Sequence, residues 1–201
     1  MKLGVLGGTF DPIHIGHLLI AQEALERVPL DRVIFVPARD PWLKGNRPIT
    51  LAETRFEMVR LAIEENPAFQ VSRVDLERSG PTYSVDTLRD VKAACPTDTQ
   101  LYFIMGLDSL WDFPRWKDPA GILSLSRLLV FSRPGAKGAG LARVCREVPG
   151  LKERSTIFKE VVIDINSTEL RERVKRGLTL RYWVPEPVAR YIQAKGLYQE
   201  D

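Results

Sequence analysis

One stretch near the start of the chain narrows the folds open to it. A short apolar run, Leu3 to Leu6, is followed by Gly7-Gly8-Thr9-Phe10-Asp11-Pro12-Ile13-His14-Ile15-Gly16-His17, and then by Leu18, Ala21, Leu25 and Val28 at helical spacing. That order reads strand, glycine-bearing turn, helix. Arg32 to Val36 then supplies a second buried strand ending at Pro37, so the opening is a βαβ unit and its strands are parallel. The alternation continues with strands over Phe69 to Val74, Leu101 to Met105, Leu128 to Phe131 and Val161 to Ile165. It implies a doubly wound parallel α/β sheet with helices on both faces, formed by residues 1–201 as one domain.

The helices between these strands carry their own signals. Thr50 and Glu53 read as a capping box for a helix with Phe56, Val59 and Ile63 on its apolar face. Ser84 reads as the cap of a helix carrying Val85, Leu88 and Val91, and Asn166 or Ser167 as the cap of one containing Leu170, Arg171 and Val174, stopped by Gly177. Pro187 opens a last helix through Val188, Tyr191 and Ile192. Ala136 to Gly140 reads as a flexible surface segment.

Composition excludes several classes. The 201 residues are 44% hydrophobic and 27% charged, ordinary for a globular protein with a real core. No apolar run approaches the roughly 20 residues of a membrane span, and Met1-Lys2-Leu3 leads straight into a strand, so neither membrane nor secretory leader is expected and the location is cytoplasmic. Cys95 and Cys145 sit in no metal or redox pattern and read as free thiols. A net charge of +3 does not argue for nucleic acid, but suits a small anionic substrate if the cations cluster. A homo-oligomer is compatible with all of this.

Ligands of such sheets lie beyond the C-terminal strand ends, where the unusual loops fall. A helix N-terminus offers unpaired N–H groups and partial positive charge, which suits phosphate. Gly7 and Gly8 allow close backbone approach and positive φ, although their spacing is neither the dinucleotide G-x-G-x-x-G nor the Walker G-x-x-x-x-G-K. His14 and His17, the chain's two histidines, are about a helical turn apart. They read as local helix-start hydrogen bonders, as a zinc pair lacking the Cys or third His of a typical site, or, best, as a phosphate clamp. Lys44 lies in the Pro-rich loop Pro37 to Pro48, and Arg171 one turn into the Ser167-Thr168 helix. Each is by default a solvated charge, but both fall on the crevice edge, where Ser167 and Thr168 add donors. Asp108, just past Gly106, is an N-cap, an acceptor for ribose hydroxyls, or a group that helps to hold a metal-bound phosphate. Trp116, followed by Lys117, is either core or a stacking platform for a heteroaromatic ring.

These residues resemble a known family. His14-Ile15-Gly16-His17 is similar to the H-x-G-H motif of a nucleotidyltransferase superfamily, and Gly8 to Pro12 narrows the likeness to its small adenylyl- and cytidylyltransferases. Ser167-Thr168-Glu169-Leu170-Arg171 resembles their second signature. The nearest likeness is to the bacterial nicotinate-nucleotide adenylyltransferases: Pro37, Pro41 and Lys44 match their Pro-rich loop, Gly80 to Leu88 their Gly-Pro-Thr-Tyr stretch, and Gly106, Asp108, Leu110 and Trp116 the next motif. Arg133 to Gly135 and Pro185 to Tyr198 complete it. One departure stands out: Trp42-Leu43-Lys44 replaces the usual Pro-His-Lys.

The resemblance implies transfer of the adenylyl group of ATP to nicotinate mononucleotide, with Mg²⁺ held through the ATP phosphates and no metal ligand from protein side chains. It implies that His14, His17, Lys44 and Arg171 act in the chemistry. Gly7, Gly8, Thr9, Phe10, Gly106, Asp108, Arg133, Ser167 and Thr168 then bind ATP, and Thr82, Tyr83, Trp116 and Lys117 the pyridine nucleotide, with Trp116 stacking. Alternatives are transfer to NMN or phosphopantetheine, or a non-catalytic nucleotide sensor. Size and the absence of a K-M-S-K-S motif exclude an aminoacyl-tRNA synthetase.

Overall fold

The computed structural model describes residues 1–41, 48–132, 140–159 and 165–199. In chain order the described elements are β1 (Lys2–Gly8), α1 (Ile15–Arg27), β2 (Arg32–Pro37), α2 (Ala52–Ile63), β3 (Phe69–Val71), α3 (Val74–Glu77), α4 (Ser84–Ala93) and β4 (Gln100–Gly106). There follow α5 (Leu107–Asp112), a 3-10 turn (Phe113–Arg115), α6 (Pro119–Leu125), β5 (Ser126–Phe131), α7 (Leu141–Glu147), α8 (Leu151–Arg154), β6 (Ser155–Phe158), α9 (Ser167–Lys175) and α10 (Glu186–Ala194).

The six strands form one sheet in the order β3-β2-β1-β4-β5-β6, parallel at every pairing. The chain winds outward from β1 to β3, returns to β4 beside β1, and winds outward again. The loops after β1 and β4 therefore diverge to opposite faces and leave a crevice between them.

Strand alternation builds a core on each face. Leu6, Val33, Phe35, Ile104, Leu129 and Phe131 point to one side and pack with Ala21 and Ala24 of α1, Met58 and Val59 of α2, and Val188 and Ile192 of α10. Leu3, Val5, Phe103, Met105, Leu128 and Val130 point to the other and pack with Leu88 of α4, Leu110 of α5 and Ile122 of α6. Each such large apolar side chain contributes about 1.5–3 kcal/mol when fully buried.

Several local expectations are corrected. The sheet's outermost strand beyond β5 is Ser155–Phe158; the run expected to supply it, 161–165, lies outside the described residues except for Ile165, which is not in a strand. The third strand stops at Val71 instead of Val74, because the Ser72 hydroxyl accepts the Val74 N–H at 3.3 Å and turns the chain into α3. The Thr50–Glu53 capping box does not form. Leu51 is the N-cap of α2, while Glu53 turns to Arg73 with contacts of 2.5 and 3.0 Å. Tyr83, not Ser84, is the N-cap of α4. Asn166 caps α9, its Oδ1 accepting the Glu169 N–H at 2.9 Å. Most of the segment expected to be flexible, 136–139, lies outside the described residues.

Candidate active site

A cleft of about 660 Å³ opens at the C-terminal edge of the sheet, over the point where β1 and β4 diverge. Gly7, Gly8, Thr9, Phe10, His14 and His17 line it from the first loop, Thr82 from the loop before α4, Gly106, Asp108 and Trp116 from the β4 side, and Ser167 and Thr168 from the start of α9. Residues scattered across 160 positions of sequence are thus gathered on one cavity. Lys44 and Arg133 lie outside the described residues.

The first loop corrects one expectation. Gly7 and Gly8 belong to β1 and do not take positive φ; that conformation falls on Phe10, at +51°. Gly8 is needed for a different reason. A Cβ there would meet the Phe10 ring at 3.0 Å, and Phe10 is only 2% exposed. At Gly106 a Cβ would meet nothing within 4 Å, so that glycine leaves open room on the cleft wall.

The two imidazoles are stacked, ring centres 3.7 Å apart and planes 26° from parallel, and Phe10 packs edge-on against His17 at 5.0 Å. The His14 N–H donates to His17 Nδ1 at 3.2 Å. With Nδ1 an acceptor, the neutral ring carries its proton on Nε2, which leaves Nε2–H as a donor at the N-terminus of α1. Hydrogen bonding of the helix start therefore fixes which nitrogen can serve a phosphate.

Arg171 does not line the cleft. It lies beneath the first loop, Nη1 donating to the Asp11 carbonyl at 2.7 Å and Nη2 to Thr168 Oγ1 at 3.1 Å. Ser167 Oγ donates to the Pro12 carbonyl at 2.9 Å. The start of α9 is thereby tied directly to the H-x-G-H turn, across about 155 positions of chain.

Trp116 lies on the opposite side of the cleft. It is half-buried, packs against Phe103 and Phe113 of the core at 6.0 and 5.5 Å, and lines the cleft. Its Nε1–H has no acceptor among the described residues. Tyr83 and Lys117 are not brought into the lining: Lys117 Nζ sits 4.5 Å over the Tyr83 ring and pairs with Asp86 at 2.9 Å. Thr82 is held by the loop after β2, donating its N–H to the Asp40 carbonyl at 2.8 Å and accepting the Asp40 N–H at 3.2 Å.

Sequence reasoning missed a second set of residues around the cleft. Asp75 and Thr87, each 2% exposed, meet beneath the Thr82 loop, the Thr87 hydroxyl lying 2.8 Å from an Asp75 oxygen and Arg78 closing the pair from outside. Burial pushes the Asp75 carboxyl above its ordinary value, opposed by the Thr87 hydroxyl and by Arg78. Proton uptake by Asp75 is thus favoured in the folded state. Its contribution to stability is full below the unfolded carboxyl pKa and is lost as pH rises through the elevated folded value. Asp75→Asn is expected to gain on the parent in urea unfolding as pH is raised from about 4 to 7; a difference that does not vary with pH counts against the shift.

Arg55, Asp11 and Tyr198 form the other missed group. Arg55 is 1% exposed and sits on the apolar face of α2 with Met58 and Val59. A lone arginine in such a stripe is the signal that could have found it.

Comparison with known proteins agrees with this geometry. Residues 5–173 match the family model described as cytidylyltransferase-like. A protein of Dehalococcoides mccartyi described as a probable nicotinate-nucleotide adenylyltransferase is 42% identical over 198 residues, 98% of this chain and 97% of that one. The chain belongs to the nicotinate-nucleotide adenylyltransferase branch of the cytidylyltransferase-like family. A second such relative, from Salinispora tropica, is 43% identical over 195 residues, 97% of this chain and 100% of its own. The fold is shared with the nicotinic acid mononucleotide adenylyltransferase of Plasmodium falciparum solved in complex with NaAD, at a TM-score of 0.80, 18% identity and coverage of 100% and 98%. The first loop and the start of α9, far apart in sequence, are in hydrogen-bond contact.

Proposed function

We propose that the protein transfers the adenylyl group of ATP to nicotinate mononucleotide, giving nicotinate adenine dinucleotide and pyrophosphate. The observation that carries this reading is the convergence of the α1 and α9 N-termini, with His14 and His17, on one cleft whose far wall holds Trp116. Family membership at about 42% identity over nearly the whole chain supports it.

The attacking group is a phosphate monoester whose second pKa is near 6, so it is already mostly dianionic at pH 7. The chain has no proton to remove. What it supplies is in-line placement and stabilisation of charge building on the α-phosphate and leaving pyrophosphate. His14 and His17 lie with the Gly8 to Phe10 backbone against the phosphates, and Ser167 and Thr168 meet them from α9. Arg171 steadies the Asp11 turn, and Lys44 clamps the leaving pyrophosphate. Gly106, Asp108 and Arg133 border the nucleosides, and Thr82 and Trp116 the pyridine ring.

Mg²⁺ fits this donor set. It keeps several waters and takes one or two carboxylates beside substrate phosphates. Asp108, on the cleft wall, would help to hold a metal-bound phosphate. Bound to the ATP phosphates, Mg²⁺ neutralises part of their charge. We propose that the reaction serves NAD biosynthesis in the cytoplasm.

Pyrophosphate release from ATP and Mg²⁺ with nicotinate mononucleotide, NMN or phosphopantetheine tests the substrate. The acid is expected to be preferred, and no release with any of the three sinks the enzyme reading. For Trp116→Ala, KM for the pyridine nucleotide is expected to rise about tenfold, the scale of a lost aromatic contact of 1–1.5 kcal/mol, with KM for ATP little changed. Equal changes for the two substrates count against stacking.

A further inference from the structure

Arg55 carries a buried cation, and its three hydrogen bonds among the described residues all go to backbone. Nη1 donates to the Thr9 carbonyl at 2.6 Å, Nε to the Thr50 carbonyl at 2.8 Å and Nη2 to the Arg39 carbonyl at 3.2 Å. These acceptors belong to two loops: Thr9 to the one after β1, and Arg39 and Thr50 to the two ends of the one between β2 and α2. Asp11 is the nearby countercharge. The Asp11 carboxylate in turn accepts the Tyr198 hydroxyl at 2.7 Å and lies 3.5 Å from the Thr50 N–H.

The bond to Thr9 has a consequence on the other side of the peptide. In a trans peptide the C=O and the following N–H point in opposite directions. With the Thr9 carbonyl held on the buried side by Arg55, the Phe10 N–H is turned the other way, and Thr9 and Phe10 both line the cleft. Phe10 is at φ +51°, a turn conformation of the kind that gathers backbone N–H groups into an anion-binding concavity. Phe10 is not glycine, so something outside the loop must hold it there.

We propose that Arg55 is a positioning residue for ATP: its guanidinium turns the Phe10 amide toward the triphosphate, and Asp11 and Tyr198 hold the guanidinium in place. This rests on the cleft being the ATP site proposed above. It makes the tail after α10 part of the site's support, although Tyr198 touches no substrate. Lysine cannot replace Arg55, because an ammonium on a flexible stem lacks the planar fork that reaches three carbonyls at once.

The test uses Arg55→Lys and Tyr198→Phe, each measured for kcat, for KM of ATP and of nicotinate mononucleotide separately, and for thermal unfolding. Arg55→Lys is expected to raise KM for ATP about tenfold or more while KM for the pyridine nucleotide stays within about twofold. Tyr198→Phe, which removes a single hydroxyl, is expected to shift the same ratio by about threefold. A folded Arg55→Lys protein with unchanged KM for ATP, or with both KM values moved alike, overturns the proposal. If Arg55→Lys does not fold, the ratio in Tyr198→Phe decides by the same criterion. Failure of the parent protein to release pyrophosphate strikes the proposed function itself; an active parent with an indifferent Arg55→Lys strikes only this inference.

Discussion

His17→Ala is expected to lower kcat/KM by about 100- to 1,000-fold, a loss of about 2.7–4 kcal/mol of transition-state stabilisation. The size follows from the donor's placement. Nε2–H is one of a few fixed donors in the cleft, its direction set by the His14 N–H on Nδ1, by the stacked His14 ring and by Phe10 at its edge. A donor already aimed costs no reorganisation as charge builds. His17→Asn, which keeps a side-chain N–H but not the stacked ring, is expected to fall between parent and alanine variant. Rapid-quench measurement of the chemical step reads the loss directly. A change in kcat/KM below about tenfold would show that His17 does not stabilise the transition state, and a loss confined to KM for ATP would assign it to uniform binding.

The parts of the site that could be read from sequence are those whose signal is local. The apolar runs around β1, β2, β4 and β5 each carry their own periodicity, and Gly106, Asp108, Ser167 and Thr168 follow from lying at strand ends or helix starts. Several of the misses share one physical cause, a partner distant in sequence. Glu53 looks like a capping residue until Arg73, twenty positions away, takes its carboxylate. The strand Ser155–Phe158 has no fully buried residue, so its apolar signal is weak, whereas the run at 161–165 reads strongly in isolation.

The first loop shows the same division. Its glycines mark a close approach, and there is one at Gly8, but against the Phe10 ring instead of through positive φ. The ring is buried because Ile13 and Phe35 share its core cluster. Phe35, with its ring centre 6.0 Å from that of Phe10, lies outside the eleven residues of the turn, which therefore do not encode the burial by themselves. Asp11, too, reads as a turn residue from its neighbours; only Tyr198, 187 positions on, reveals it as a buried acceptor.

Arg55→Met is expected to cost about 3–5 kcal/mol of stability, the range for removing one partner from a buried charged pair. Methionine keeps the stem's volume among Met58 and Val59, so little of the loss comes from a cavity. The cost is polar: the Thr9, Thr50 and Arg39 carbonyls lose their donor, each worth about 1–3 kcal/mol if left buried and unpaired, and Asp11 is left facing Tyr198 without its cation. Burial and the Asp11 carboxylate already push the Tyr198 phenol well above its ordinary value. The phenol therefore stays a donor and leaves the negative charge on Asp11. For a chain of this size the loss corresponds to a fall in Tm of roughly 10 °C. A double-mutant cycle separates the two contributions. Asp11→Asn removes the buried anion, so Arg55→Met in that background should cost about 1 kcal/mol less or better, the non-additivity of residues in one network. Strict additivity would place the whole effect in the three carbonyls and none in the Asp11 charge.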